Sequence, residues 1–277
     1  MFALMLVAAL VLDANAFDSF PVGSAHDRIT GRAACEVGLR VRWRRRVKQQ
    51  VRRQDLDQLA LDLGMVSRLG LARAMRLERG MVPTHRYRPA HHFDRAEDEP
   101  VPEAFRRGVD SIQQARAAAV VLLRDGDDDA AMAQLGVALH GLQDLVSHSN
   151  VVELSPHAIA QVEASVFEGA PLPEGHPLDL AWYNSTPTLP SDDAEPPNLT
   201  AQHQRCEDGE TSHFCVSLDH RGTWRGRQRL EGERTFRVGV RLARAWTVRW
   251  LGELIAEVEP DVRERLLRRR FTRRAAK

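Results

Sequence analysis

Cysteine is scarce in this chain, with three in 277 residues, too few for a disulfide framework to stand in for a core. Aromatic residues make up only 6%, and just two are tyrosine, which argues against base stacking as the main binding device. An excess of one charge is missing too. Lys and Arg number 39 against 38 Asp and Glu, a formal net charge of +1, so bulk electrostatics call for neither a nucleic-acid nor an acidic partner. No apolar run approaches the ~20 residues of a membrane-spanning helix. Gly-x-Ser-x-Gly, a phosphate-cradling Gly-rich loop and Cys-x-x-Cys are all absent, which sets aside serine-hydrolase, nucleotide-loop and thiol-redox chemistry. Neither strand-like alternation nor an internal repeat is evident.

What is present is helical periodicity. Apolar residues recur at three- and four-residue spacing over Asp27 to Arg53, Leu56 to Arg79, Pro102 to Arg124, Asp127 to Leu154 and Arg234 to Arg269, the last with an expected break near Pro260. Between Gly169 and Gly222 the chain is polar and punctuated by seven prolines from Pro171 to Pro197. The pattern predicts a single all-α, multi-helix domain with a long Pro-rich loop before the last long helix. Its expected bounds are 17–260, with a basic C-terminal tail over 261–277. Residues 1–16 read as a signal peptide: Phe2 to Leu12 is an eleven-residue apolar run, and Ala14-Asn15-Ala16 supplies the small-x-small cleavage pattern. The expected location is therefore secreted or periplasmic. In that setting Cys206 and Cys215 can pair, and Cys35 reads as buried and structural. The basic clusters Arg40 to Arg53 and Arg263 to Arg274 read as solvated helix faces, with peripheral membrane contact as the alternative.

The segment with most chemistry is Leu139-His140-Gly-Leu-Gln-Asp144-Leu-Val-Ser-His148. Its three polar donors stand at i, i+4 and i+8. Each four-residue step drifts only ~40° around a helix, so all three share one face. Imidazole and carboxylate are donors that zinc takes. Three more stations carry similar residues: His26 in Ala25-His26-Asp27-Arg28-Ile29-Thr30, His92 in His91-His92-Phe93-Asp94-Arg95, and His213 with Asp219 in Ser212 to His220. His26, His92, His140, Asp144, His148, His213 and Asp219 are more ligands than the three or four one zinc needs. The surplus points to two or three ions bridged by a carboxylate, an arrangement suited to phosphoester hydrolysis.

In this order on a helical chain, the stations resemble the zinc-dependent phospholipases C and single-strand-specific nucleases. The likeness is greatest to the branch related to a fungal heterokaryon-incompatibility protein, and it runs over roughly residues 17 to 256. It implies a zinc cluster of two or three ions in which His26 holds one, His92 joins His140 and Asp144 on another, and Asp144 bridges. His148, within Ser-His-Ser-Asn, and the pair His213 and Asp219 match later ligands, while Phe17 would be the mature N-terminus. Ala243, Trp246, Thr247 and Leu251 fit the closing helix of that branch.

The resemblance also implies a further catalytic acid, for which Asp62 or Asp57 is the candidate beside Asp144. In the best-studied phospholipases the His after the bridging Asp comes six residues on; here the step is four. The expected activity is a phosphodiester hydrolase in which metal-activated water attacks a phospholipid. Arg95 is a candidate phosphate clamp. One alternative is a single-strand nuclease of the same fold, taking nucleic acid in a slot lined by Trp182 and Tyr183. The other is a zinc-stabilised, non-catalytic interaction protein.

Overall fold

The computed structural model describes residues 25–64, 89–93, 95, 99–181, 218 and 224–268, with the side chains of 55–64, Pro89 and Trp224 excepted. These residues form one all-α domain. The element order is α1 (Ala25–Glu36), α2 (Val41–Gly64), α3 (Pro89–His92), α4 (Val101–Asp125), α5 (Asp128–Ser147), a 3-10 turn (Val151–Glu153), α6 (Pro156–Glu168), α7 (Trp224–Arg227), α8 (Thr235–Glu257) and α9 (Pro260–Leu266). The strands found among the described residues are a two-residue pair, β1 (Arg229–Leu230) antiparallel to β2 (Glu233–Arg234).

Helix α5 is the axle. Asp127 caps its start by accepting from Ala130 N–H, placing three aspartates where the helix dipole favours negative charge. From Ala138 to Ser147 every residue is buried, because α2, α4 and α8 surround it. Two glycines allow the close approach. A Cβ on Gly136 would lie 2.5 Å from Gln50 Cβ on α2, and one on Gly141 would lie 2.9 Å from the His91 carbonyl oxygen. Trp43, Val47 and Val51 on α2, four residues apart, and Phe105, Ile112 and Leu123 on α4 fill the space between.

The periodicity over Asp27 to Arg53 is not one helix. It splits at Val37–Arg40, where Gly38 takes the left-handed conformation (φ 84) and Leu39 N–H bonds back to Ala34 O at 2.9 Å. This closure suits glycine, and it drops Leu39 into the core. Helix α5 likewise stops at Ser147, short of Leu154. The break expected near Pro260 is present, and α9 follows it. Val262 and Leu266 of α9 are buried, and Leu267 bridges to Leu39, so the stretch set apart as a tail begins as part of the core. Cys35 is exposed, not buried. It lies on the outward face of α1, whose inward face is Ile29, Thr30, Ala33 and Ala34.

Within the described residues, no helix is long and apolar enough to cross a membrane. Residues 1–16, Phe17, Asp94, Trp182, Tyr183, Cys206, Cys215, His213 and Asp219 lie outside the described residues. So does most of the Pro-rich segment and of the second predicted helix, and so do the side chains of Asp57 and Asp62.

Candidate metal centre

His140 and Asp144 share the inner face of α5, as their four-residue spacing demands. Three other segments bring histidines to the same place. His26 comes from the first turn of α1, and His92 ends the short α3. His148 caps α5, its backbone N–H donating to Asp144 O. All five side chains are buried, and Asp144, His140 and His148 are fully so.

The two carboxylate oxygens of Asp144 face different partners. Oδ2 lies 2.8 Å from His140 Nε2 and 2.9 Å from His92 Nδ1, and those two nitrogens are 3.0 Å apart. Two N–H groups cannot both point into so small a triangle without their hydrogens meeting. Three ligand atoms around one cation can do so, since tetrahedral bonds of ~2.0–2.1 Å leave neighbouring ligands roughly 3.3 Å apart. Oδ1 lies 3.3 Å from His26 Nε2, and it accepts no hydrogen bond although buried.

The tautomer of His26 follows from a hydrogen-bond chain on its far side. Thr247 Oγ1 donates to Ala243 O at 2.7 Å, so it has no proton left to give and must accept from Gln143 Nε2 at 3.2 Å. The same amide nitrogen donates to Thr30 Oγ1 at 2.9 Å. Gln143 Oε1 therefore turns to His26 Nδ1, 3.1 Å away, and accepts its proton. In the neutral ring the lone pair of Nε2 then points at the carboxylate. Two acceptors face to face repel unless a cation, either a proton on Nε2 or a metal ion, lies between them. The triangle and this opposed pair show that the residues fit a metal ion. His26, His140 and Asp144, whose ligand atoms all lie within 4.8 Å of one another, form a group able to hold one.

Burial alone would push the Asp144 carboxyl up. The positive fields of His140 and His148, the bond to His140 and the field of His26 outweigh it and hold the group well below the usual carboxylate range. An ionised, buried carboxylate among imidazoles is the species a metal requires.

His148, also expected as a ligand, has its ring oriented by backbone. Its Nδ1–H donates to His92 O at 2.9 Å, a bond of the type that orients ligating imidazoles. His92 also depends on Phe93, a fully buried non-glycine residue at φ 54. Such a conformation costs ~1–3 kcal/mol and persists only where packing enforces it. The Phe93 ring fills the space beside Gly108, where a Cβ would lie 2.6 Å from it. The end of α5 is then wrapped by extended backbone. Ala181 N–H donates to His148 O, Leu218 N–H to Ser147 O and Arg95 N–H to Ala181 O. Asn150 ties the same segment down through Asp179 N–H and Pro177 O.

Arg95, expected as a phosphate clamp, bonds to Leu180 O through Nε at 3.0 Å and approaches Asp179, so it belongs to this wrapping. Gln143, Thr30 and Thr247 form a working unit that no sequence motif marks. The available signal was a glutamine beside the metal-type Asp in an otherwise apolar helix, since a buried amide needs three or four partners. No family model, curated protein or solved structure matches this chain.

Proposed function

We propose that this protein is a zinc-dependent phosphodiester hydrolase with Asp144 bridging two ion positions. The observation that carries the reading is the division of the Asp144 carboxylate. Oδ2 faces His92 and His140, while Oδ1 faces His26 with its lone pair directed by Gln143. Nitrogen and oxygen donors of this kind suit zinc. Zinc ions would supply an activated water and neutralise the charge on a phosphodiester. The chain's own part is positional. Gln143 holds the His26 tautomer, His148 fixes the carbonyl that follows the His92 ring, and the buried walls exclude bulk water. His148, His213 and Asp219 remain candidate ligands, and Asp62 the candidate further acid. Phospholipid is the proposed substrate and single-stranded nucleic acid the alternative one. Export guided by residues 1–16 belongs to the same proposal.

Burial favours a second reading. His26, His92, His140 and Asp144 are at most 2% exposed, whereas a working zinc centre keeps an open position for water or substrate. A zinc-stabilised interaction protein would need no such opening. One set of measurements separates the two. Purified full-length protein is assayed for zinc by mass spectrometry, then for hydrolysis of bis(p-nitrophenyl) phosphate, phosphatidylcholine and single-stranded DNA. Two or more zinc per chain with chelator-sensitive turnover of the lipid supports the hydrolase. Turnover of DNA alone makes it a nuclease. Zinc without turnover leaves the structural role, and protein that binds no zinc ends both readings.

A further inference from the structure

Among the described residues outside the buried cluster, a concentration of cations lies in a cleft between α1 and α2. Arg28 and Arg32, one turn apart on α1, face Arg44, Arg45 and Lys48 on α2, with Asp27 as the one acid lining the cleft. The cleft holds about 420 Å³, within the usual size of small-ligand sites. Several cations on or just before α2 that lie outside the cleft are engaged, although Arg52 Nε is buried without a hydrogen-bond partner. Arg42 and Arg46 lie over the Trp43 ring, Arg46 also meets Asp129, and Arg40 bonds to the backbone of Glu264 and Leu267. By contrast, Arg32, Arg44, Arg45 and Lys48 form no ion pair among the described residues, and Arg44 Nε is buried without a hydrogen-bond partner.

The cleft is also shaped. Gly31 lets the Lys48 stem lie across α1, where a Cβ would come within 3.0 Å of Lys48 Cδ. Like charges one turn apart on a helix repel, and here two such rows face each other. Guanidinium forks match phosphate oxygens in pairs.

We propose that this cleft binds a phosphate group, carried by a soluble phosphorylated molecule or by a lipid headgroup. The site is separate from the buried histidines and does not depend on their being catalytic. The test compares wild type with the double variant R44Q/K48Q, both as full-length protein and checked for equal zinc content. Thermal melts are recorded against inorganic phosphate at constant ionic strength maintained with chloride. Wild type should gain stability saturably, and the double variant should need at least ~10-fold more phosphate for the same gain, as loss of two charge-assisted contacts implies. In chloride alone the double variant should melt at or above wild type, because repulsion has been relieved.

Sedimentation with phosphatidylcholine vesicles, with and without phosphatidic acid, identifies the source. Co-sedimentation only with phosphatidic acid, lost in the variant, marks a lipid headgroup; its absence alongside the phosphate response marks a soluble ligand. The proposal is overturned if phosphate stabilises neither protein or both equally, or if single-stranded DNA binds while phosphate has no effect.

Discussion

Asp144 and Glu253 are both helix carboxylates held by basic side chains, yet they are held in opposite ways. Asp144 is fully buried and meets His26, His92 and His140. Glu253, with its side chain 34% exposed, takes Arg116 at 3.3 Å and Arg249 at 2.8 Å. Arg249 also reaches Glu168, and Arg116 reaches Glu257. Around Glu253 water can replace any partner that leaves, so each contact contributes little. Around Asp144 burial excludes bulk water, and the polar atoms depend on one another for proton or charge. The fold therefore concentrates its sensitivity at one point on α5, although charged residues cover its surface.

The largest expected effect tests that concentration directly. Asp144→Asn should destabilise the protein by ~3–5 kcal/mol, because it leaves buried imidazoles without their counter-charge. Urea unfolding followed by circular dichroism measures this, and a loss below about 1 kcal/mol would mean the cluster is not the fold's weak point. Next comes the packing that buries it. Gly136→Val places a side chain against the Gln50 backbone, which lies within 2.9 Å of the added Cβ, and should cost up to ~3 kcal/mol. The same melts check it, and little change would show that α2 can retreat from α5.

Gln143→Leu sharpens the comparison instead of breaking it. Removing the amide frees the His26 tautomer, so affinity for the proposed zinc should fall ~10–100-fold with most of the fold retained. Competition with a fluorescent zinc chelator reads that shift, while unchanged affinity would assign the amide a packing role only. The smallest effect belongs to the surface. Glu253→Gln should change stability by less than about 1 kcal/mol, with the remainder screened by salt. A larger loss would show that the Arg116 and Arg249 network acts as a unit.

How much was legible in the sequence differs from residue to residue. The His140 to Asp144 spacing defines a face as soon as the segment is a helix, and its apolar surroundings announce burial. His26 and His92 were recognisable as candidates, but their partners on Asp144 are 118 and 52 positions away, and nothing local encodes those distances. Gln143 was hidden for a related reason. An amide beside a ligand is ordinary until Thr247 is seen to spend its hydroxyl proton on Ala243, which fixes the direction of the whole chain of bonds. Helix boundaries failed where side-chain periodicity continues through a backbone break, as at Gly38. Cys35 was misplaced because a cysteine's preference for burial is only a tendency, and the helix phase on α1 turns that position outward.

The amphipathic pattern and the ligand types were therefore determined by sequence alone, because a helix repeat and a side chain's donor atoms are local properties. Which oxygen of Asp144 faces which histidine, and the tautomer of His26, were decided only when α1, α3, α5 and α8 packed together. So was the gathering of five cations into one cleft. These are relations between residues far apart in the chain, and close packing of helices is what turns them into definite distances.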